Sequence, residues 1–105
     1  MDGRCQECVG AWTKKEFGTE YADTITIAGL DGVLPDDAAE RERTLMMGKI
    51  SAEKHGSKNA IVVGHSGCAG FVADTDGHAA AIKESVDIVK QWGLFETVVG
   101  LFVDV

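Results

Sequence analysis

The chain has 105 residues, 45% of them hydrophobic, and 17 acidic residues against 10 basic ones give it a formal net charge of −7. A chain of this size can form one compact core, so we predict a single domain over residues 1–105. The negative charge, without any cluster of Lys and Arg, argues against a surface for nucleic acids or anionic membranes.

The chain has three cysteines, Cys5, Cys8 and Cys68. Its N-terminal residues lack the basic region and apolar stretch of a secretion signal. An odd number of cysteines in such a chain favours free thiols or thiolate ligands over a disulfide framework. No apolar run approaches the roughly 18 residues that a membrane span needs. We therefore expect a cytoplasmic protein with no membrane or nucleic-acid partner.

The first half of the chain predicts two helices and one strand. Residues 7–17 have apolar side chains at helical spacing, and residues 22–27 alternate apolar and polar side chains as a strand does. Residues 30–36 contain a proline and are predicted to form a loop. An aspartate then caps a helix over residues 37–55. Its predicted inward face carries Leu45, Met46 and Ile50.

The second half predicts strand, helix and strand. Residues 59–64 and 97–103 are short, continuously apolar runs, typical of strands covered on both faces in a parallel sheet. Residues 75–92 between them have a helical apolar stripe. Strands alternating with helices imply right-handed crossovers. The sequence therefore predicts an α/β fold, a small and mainly parallel β-sheet with helices on both faces.

The heptapeptide Gly64–Gly70, GHSGCAG, directly follows the apolar run 60–63. Ligands of open α/β sheets bind beyond the carboxyl ends of the strands, which is where this loop is predicted to lie. It carries His65 and Cys68, and imidazole and thiolate are both zinc donors. The spacing alone equally fits a polar histidine at a strand end and a small buried cysteine.

The heptapeptide resembles the G-H-S-x-C-G-G motif of the β-class carbonic anhydrases, from which it departs at Ala69. The tripeptide Asp2–Arg4 resembles the Asp and Arg of that family's C-x-D-x-R motif. Ala28-Gly29 stands near the family's A-G-N loop, and residues 99–105 are similar to its late strand. The resemblance thus covers nearly the whole chain and is greatest to a short, divergent branch of the family.

This resemblance implies a β-carbonic-anhydrase-like fold and a homodimeric, zinc-dependent lyase that interconverts CO2 and bicarbonate through zinc-bound hydroxide. It assigns zinc binding to His65 and Cys68, and catalysis to Asp2 paired with Arg4. Asp2 is also a candidate fourth ligand in the resting form. Hydrolysis of carbonyl sulfide or carbon disulfide is a close variant. A non-catalytic binding or assembly module, with structural zinc or no metal, is the alternative from a different class.

In the resembling motif another zinc-binding cysteine would fall one position before Met1, preceded by the family's first strand. We therefore expect the domain to lack that strand, with the natural start lying upstream or the chain being a fragment. If the chain starts at Met1, Cys5 and Cys8 become candidate ligands, because Cys-x-x-Cys together with His-x-x-Cys supplies four donors. His55 and His78 remain as lesser candidates.

Overall fold

Four helices and two strands follow one another along the chain, and the computed structural model describes residues 1–105 throughout. The two strands pair in parallel from Asn59 opposite Thr97 to His65 opposite Val103. This confirms the predicted α/β class. None of the helices has the length and apolar character needed to cross a membrane. The elements are α1 (Gly3–Phe17), α2 (Leu30–Asp36), α3 (Ala38–Lys54), β1 (Asn59–His65), α4 (Thr75–Gln91) and β2 (Thr97–Val103).

The core lies where α2 and α4 pack on the sheet. Its buried members are Leu34, Val62, Val89 and Val98, one each from α2, β1, α4 and β2. Gly100 lets α4 approach β2 closely, because a Cβ at this position would overlap Ile82. The predicted strands 59–64 and 97–103 and the helix 75–92 are therefore confirmed, since their apolar residues form this core.

Each of the three long helices has an aspartate as its N-cap. Asp2, Asp37 and Asp74 accept hydrogen bonds from the backbone N–H groups of Arg4, Glu40 and Gly77, respectively. Such caps satisfy N–H groups that have no partner within the helix. The cap on Asp37 confirms the predicted start of α3. The Asp2 cap lies before Gly3, the first residue of α1. The helix therefore begins four residues before its predicted start at residue 7.

Two local predictions in the first half are wrong. Residues 22–27 form no strand, and Asp23 there bonds instead to Ser51 Oγ and His55 Nδ1 at the end of α3. Residues 30–36 form α2 rather than a loop, although Pro35 cannot donate to the Asp31 carbonyl one turn earlier. Ser85 Oγ of α4 makes that bond instead, at 2.9 Å, so tertiary packing supplies the donor that the proline lacks.

The predicted inward face of α3 is wrong for two of its three residues, since only Leu45 is half-buried. Met46 and Ile50 are 60% and 56% exposed, whereas Thr44 and Gly48 are buried. Gly48 faces the ring of Trp92, and a Cβ there would lie 3.6 Å from it. Small residues on this face bring the helix backbone close to its neighbours, and Met46 and Ile50 lie on the outer surface.

The bonds to Asp23 make the stability of the fold depend on pH. Hydrogen bonds from Ser51 and then His55 lower the pKa of the Asp23 carboxyl from its ordinary value of 3.8. A carboxyl whose pKa is lower in the folded chain stabilises the fold above its unfolded value, and this contribution disappears as pH falls through the folded pKa. We expect wild type to exceed Asp23→Asn in urea stability at about pH 5 and to lose that advantage below about pH 3. Asp87→Asn, an exposed carboxylate on α4, is the control that should show no such change.

Candidate metal centre

Residues 64–70, which we call the site loop, comprise the last two residues of β1 and the turn that follows them, and they are held to the end of β2. The backbone N–H of Ser66 donates to the Val103 carbonyl at 3.0 Å, and Ser66 Oγ donates to Asp104 at 3.0 Å. Gly67 turns the loop with a φ of +64°, a conformation that glycine adopts without strain. The site loop is therefore presented at the edge of the sheet where α/β proteins bind their ligands.

The other end of the site loop lies against the segment before α2. A Cβ at Gly70 would lie only 2.5 Å from the backbone of Ala28, and a Cβ at Gly29 would overlap Gly70. Both close contacts are with backbone atoms, so no side chain could move aside to make room for a Cβ. The structure thus brings the Ala28-Gly29 segment, singled out by the sequence, into direct contact with the site loop.

The orientation of His65 leaves one ring nitrogen available to a ligand. Its Nδ1 lies 2.7 Å from the carbonyl oxygen of Ser66, a contact that requires Nδ1 to carry the proton and donate. The side chain is 13% exposed. Metal-binding histidines usually donate one N–H to a carbonyl or carboxylate and use the other nitrogen for the metal. The geometry therefore leaves Nε2 as the nitrogen of His65 that has no hydrogen-bond partner.

Asp2 and Arg4 form a two-pronged ion pair beside this histidine. The Arg4 Nη2 and Nε atoms lie 2.6 and 3.1 Å from Asp2 Oδ2, and Nε also bonds Oδ1. These hydrogen bonds from Arg4 hold the pKa of the Asp2 carboxyl well below its usual value and raise that of Arg4. Asp2 is therefore ionised at neutral pH.

The ion pair also contacts the site loop. Asp2 Oδ2 is 3.9 Å from His65 Nδ1, and Arg4 Nη2 is 3.5 Å from the Gly67 carbonyl. Residues from opposite ends of the chain are thus adjacent, because the Asp2 cap starts α1 next to the carboxyl end of β1. Both motifs on which the sequence analysis depends meet at one place.

The three cysteines occupy different environments. Cys5 and Cys68 are buried and Cys8 is exposed on α1, where its thiol donates to the Cys5 carbonyl at 3.3 Å. Burial, followed by the nearby charge of Asp2, raises the pKa of the Cys5 thiol. A thiol with a raised pKa is a poor ligand until a metal displaces its proton.

The side chains match zinc in kind and fall short in number. An imidazole with one nitrogen anchored and a thiol three residues later are typical zinc donors, and a catalytic zinc has three protein ligands. No group of three or more His, Cys, Asp or Glu side chains is arranged to hold a metal ion. The predicted pair His65 and Cys68 thus has no assembled third donor, and Cys5 does not join it in such a group.

The pairing of Asp31 with His78, a second polar pair, was not predicted from the sequence. Both side chains are buried, and His78 Nδ1 lies 2.6 Å from Asp31 Oδ2. One signal was present: His78 falls on the same helical stripe as Ile82 and Val89, which predicts an inward-facing histidine. Its partner lies in α2, which the sequence analysis predicted to be a loop.

The whole chain matches a known family of proteins. The family model described as "Putative carbonic anhydrase" matches residues 1–105, the entire chain. No curated protein and no solved structure matches the sequence.

Proposed function

Since the chain belongs to the family described as "Putative carbonic anhydrase", we propose that it is a zinc-dependent hydratase of the β class that interconverts CO2 and bicarbonate. One observation carries this proposal: the ionised Asp2, paired with Arg4, lies 3.9 Å from His65 in the site loop. An ion pair on a mobile surface would have little consequence, whereas a pair fixed at a strand end beside an imidazole is equipped for catalysis.

His65 Nε2 and the Cys68 thiolate are the atoms that would hold the metal. When bound, zinc supplies a hydroxide nucleophile at neutral pH, because it lowers the pKa of coordinated water to about 7. The Ser66 carbonyl keeps the imidazole in the required orientation by accepting from Nδ1 at 2.7 Å. Cys5 remains the candidate for a third donor within residues 1–105.

A strand that precedes Asp2 in the chain would be a different source of the third zinc donor. The sheet has only two strands, so β1 has an edge with no strand neighbour. A cysteine-ending strand at that edge would pair its free backbone groups and place a thiolate beside Asp2. Reading the coding DNA upstream of Met1 tests this proposal: an in-frame cysteine codon two positions before Asp2 is expected, and a stop codon there would contradict it.

Asp2 and Arg4 would orient the nucleophile. The Asp2 carboxylate, kept ionised by Arg4, can only accept hydrogen bonds, so the hydroxyl proton of the nucleophile would point to Asp2 and its lone pair would face CO2. Arg4 fixes the carboxylate from the other side with three side-chain hydrogen bonds. Neither residue needs to change its protonation state during the reaction.

One observation favours a second candidate function, a non-catalytic binding or assembly module. The chain assembles no group of three donors, and a two-donor site holds zinc weakly. In that case the Asp2–Arg4 pair would only cap α1 and fasten it to Gly67. The two functions differ in whether zinc, once bound, accelerates CO2 hydration.

A stopped-flow assay of CO2 hydration tests the proposed function. The purified chain is measured as isolated, after removal of metal with a chelator, and after addition of one equivalent of zinc. We expect the rate to disappear with the metal and to return with zinc. Zinc that binds without restoring hydration would favour the second candidate, and carbonyl sulfide assayed in parallel would identify the variant chemistry.

We also propose that the protein is a homodimer. Only 14 of its 105 residues are buried, and Met46, Ile50, Tyr21 and Val72 are exposed by 56–88%. Apolar surface of this kind is commonly covered by a second copy of the chain. Light scattering after size-exclusion chromatography should give twice the mass of the 11.1 kDa chain, and a mass of one chain at micromolar concentration would contradict the proposal.

A further inference from the structure

The buried pair of Asp31 and His78 connects two helices directly beneath the site loop. Asp31 lies in the first turn of α2 and His78 in the first turn of α4, and their side chains are 2% and 0% exposed. Their hydrogen bond, 2.6 Å long, is the only one that the side chain of Asp31 makes. The pair therefore fixes the starts of α2 and α4 relative to each other.

The same pair contacts both ends of the site loop. The Asp31 carboxylate packs on Gly64, the residue before His65, so closely that a Cβ there would lie 2.5 Å from Oδ2. The His78 ring packs edge-on against Phe71, which directly follows the loop, with ring centroids 5.0 Å apart. The pair thus holds the site loop at its first residue and just beyond its last.

Stability alone gives no reason for a polar pair at this position. Burying such a pair costs desolvation, and apolar side chains of similar volume often serve as well or better. In addition, His78 Nε2 is buried without any hydrogen-bond partner, next to the rings of Phe71 and Phe102. An unpaired buried nitrogen loses its hydrogen bond to water and gains none in return, which destabilises the fold.

We propose that Asp31 and His78 are positioning residues, which hold the site loop so that His65 and Cys68 keep the separation that a metal requires. This inference rests on the proposed function for its purpose. Directional hydrogen bonding fixes the distance between two helices more tightly than apolar contacts can, and the Gly64 and Phe71 contacts transmit that distance to the loop. Removing groups that hydrogen-bond directly to metal ligands typically changes metal affinity 10–100-fold, and we expect a loss of the same order here.

Two variants test the proposal. The double variant Asp31→Leu/His78→Leu replaces the pair by apolar side chains and leaves no buried charge. His78→Asn keeps an N–H donor at the position of Nδ1 and removes Nε2. We expect both to fold with a melting temperature near that of wild type. In the double variant, zinc affinity should fall about 10–100-fold, and His78→Asn should stay within a few-fold of wild type.

A second measurement on the metal-free chain separates the failure of this inference from failure of the proposed function. The alkylation rate of Cys68, measured by peptide mass spectrometry, should rise at least about tenfold in the double variant, because the loop is no longer held. The rate at buried Cys5 is the internal control and should not change. If wild type binds no zinc and only Cys68 responds, the proposed function fails and the positioning role stands.

Three results would overturn the inference. One is a folded double variant with wild-type Cys68 reactivity, and the second is a His78→Asn variant that behaves like the double variant. The third is a double variant that fails to fold, which would assign the pair to stability instead.

Discussion

Replacing Cys68 by serine should weaken zinc binding by at least about 100-fold and abolish zinc-dependent CO2 hydration. Serine has nearly the same volume, so the buried position is still filled, but a hydroxyl does not ionise to a ligand as a thiol does. His65 alone cannot hold the metal. Zinc affinity is measured by competition with a chromophoric chelator, and hydration by stopped flow on the same sample.

Cys8→Ser is the matched control for this substitution. Cys8 is exposed on α1, and its thiol bonds only the Cys5 carbonyl, so zinc affinity and hydration should remain at wild-type values. The alternative ligand set of Cys5 and Cys8 with His65 and Cys68 predicts the opposite, a loss in both variants. Equal zinc affinity of wild type and Cys68→Ser would contradict the assignment of Cys68 as a ligand.

Replacing Asp2 by asparagine should lower the rate of CO2 hydration about 100-fold or more while zinc affinity changes only a few-fold. Asparagine keeps the shape of the side chain and can still cap α1 through its oxygen. It turns one acceptor oxygen into an NH2 group, which faces the Arg4 guanidinium unfavourably and cannot accept the proton of the nucleophile. The expected result is therefore a loss of rate with the metal still bound.

The pH profile adds a further test of Asp2. Because Arg4 holds the pKa of Asp2 well below its usual value, ionisation of this carboxyl should produce no acid limb in the profile of wild type above about pH 5. Glu7→Gln removes one charge from the exposed surface of α1 and serves as the control for net charge, with wild-type rates expected. An Asp2→Asn variant with undiminished hydration would leave the ion pair only its capping role.

The elements predicted correctly from sequence are those whose signal is local. Continuous apolar runs identified β1 and β2, and a helical stripe identified α4, because each of these buries its apolar residues in the common core. Residues 22–27 have an equally good strand pattern, but a pattern cannot tell whether a neighbouring strand offers free backbone groups. For α2, the compensation for Pro35 comes from Ser85, far along the chain, and no local rule contains it.

The residues of the candidate site likewise fall into two groups, those that local sequence motifs reveal and those that only the fold reveals. His65 with Cys68, and Asp2 with Arg4, lie within short motifs whose residues are chemically coupled, so the sequence points to both. The structure places Asp2 beside His65 and Arg4 beside Gly67. The pair of Asp31 and His78 is different, because its two members belong to separate helices and only the packing of α2 on α4 joins them. Such pairs become visible only when the fold is known.

The proposed zinc site is tested most directly by an anomalous difference map collected at the zinc absorption edge, from crystals of the zinc-treated protein. We expect one peak between His65 and Cys68, about 2.0–2.1 Å from Nε2 and about 2.3 Å from Sγ. A peak at any other place in the chain, or crystals of zinc-treated protein without a peak, would contradict the assignment of the site loop as a zinc centre.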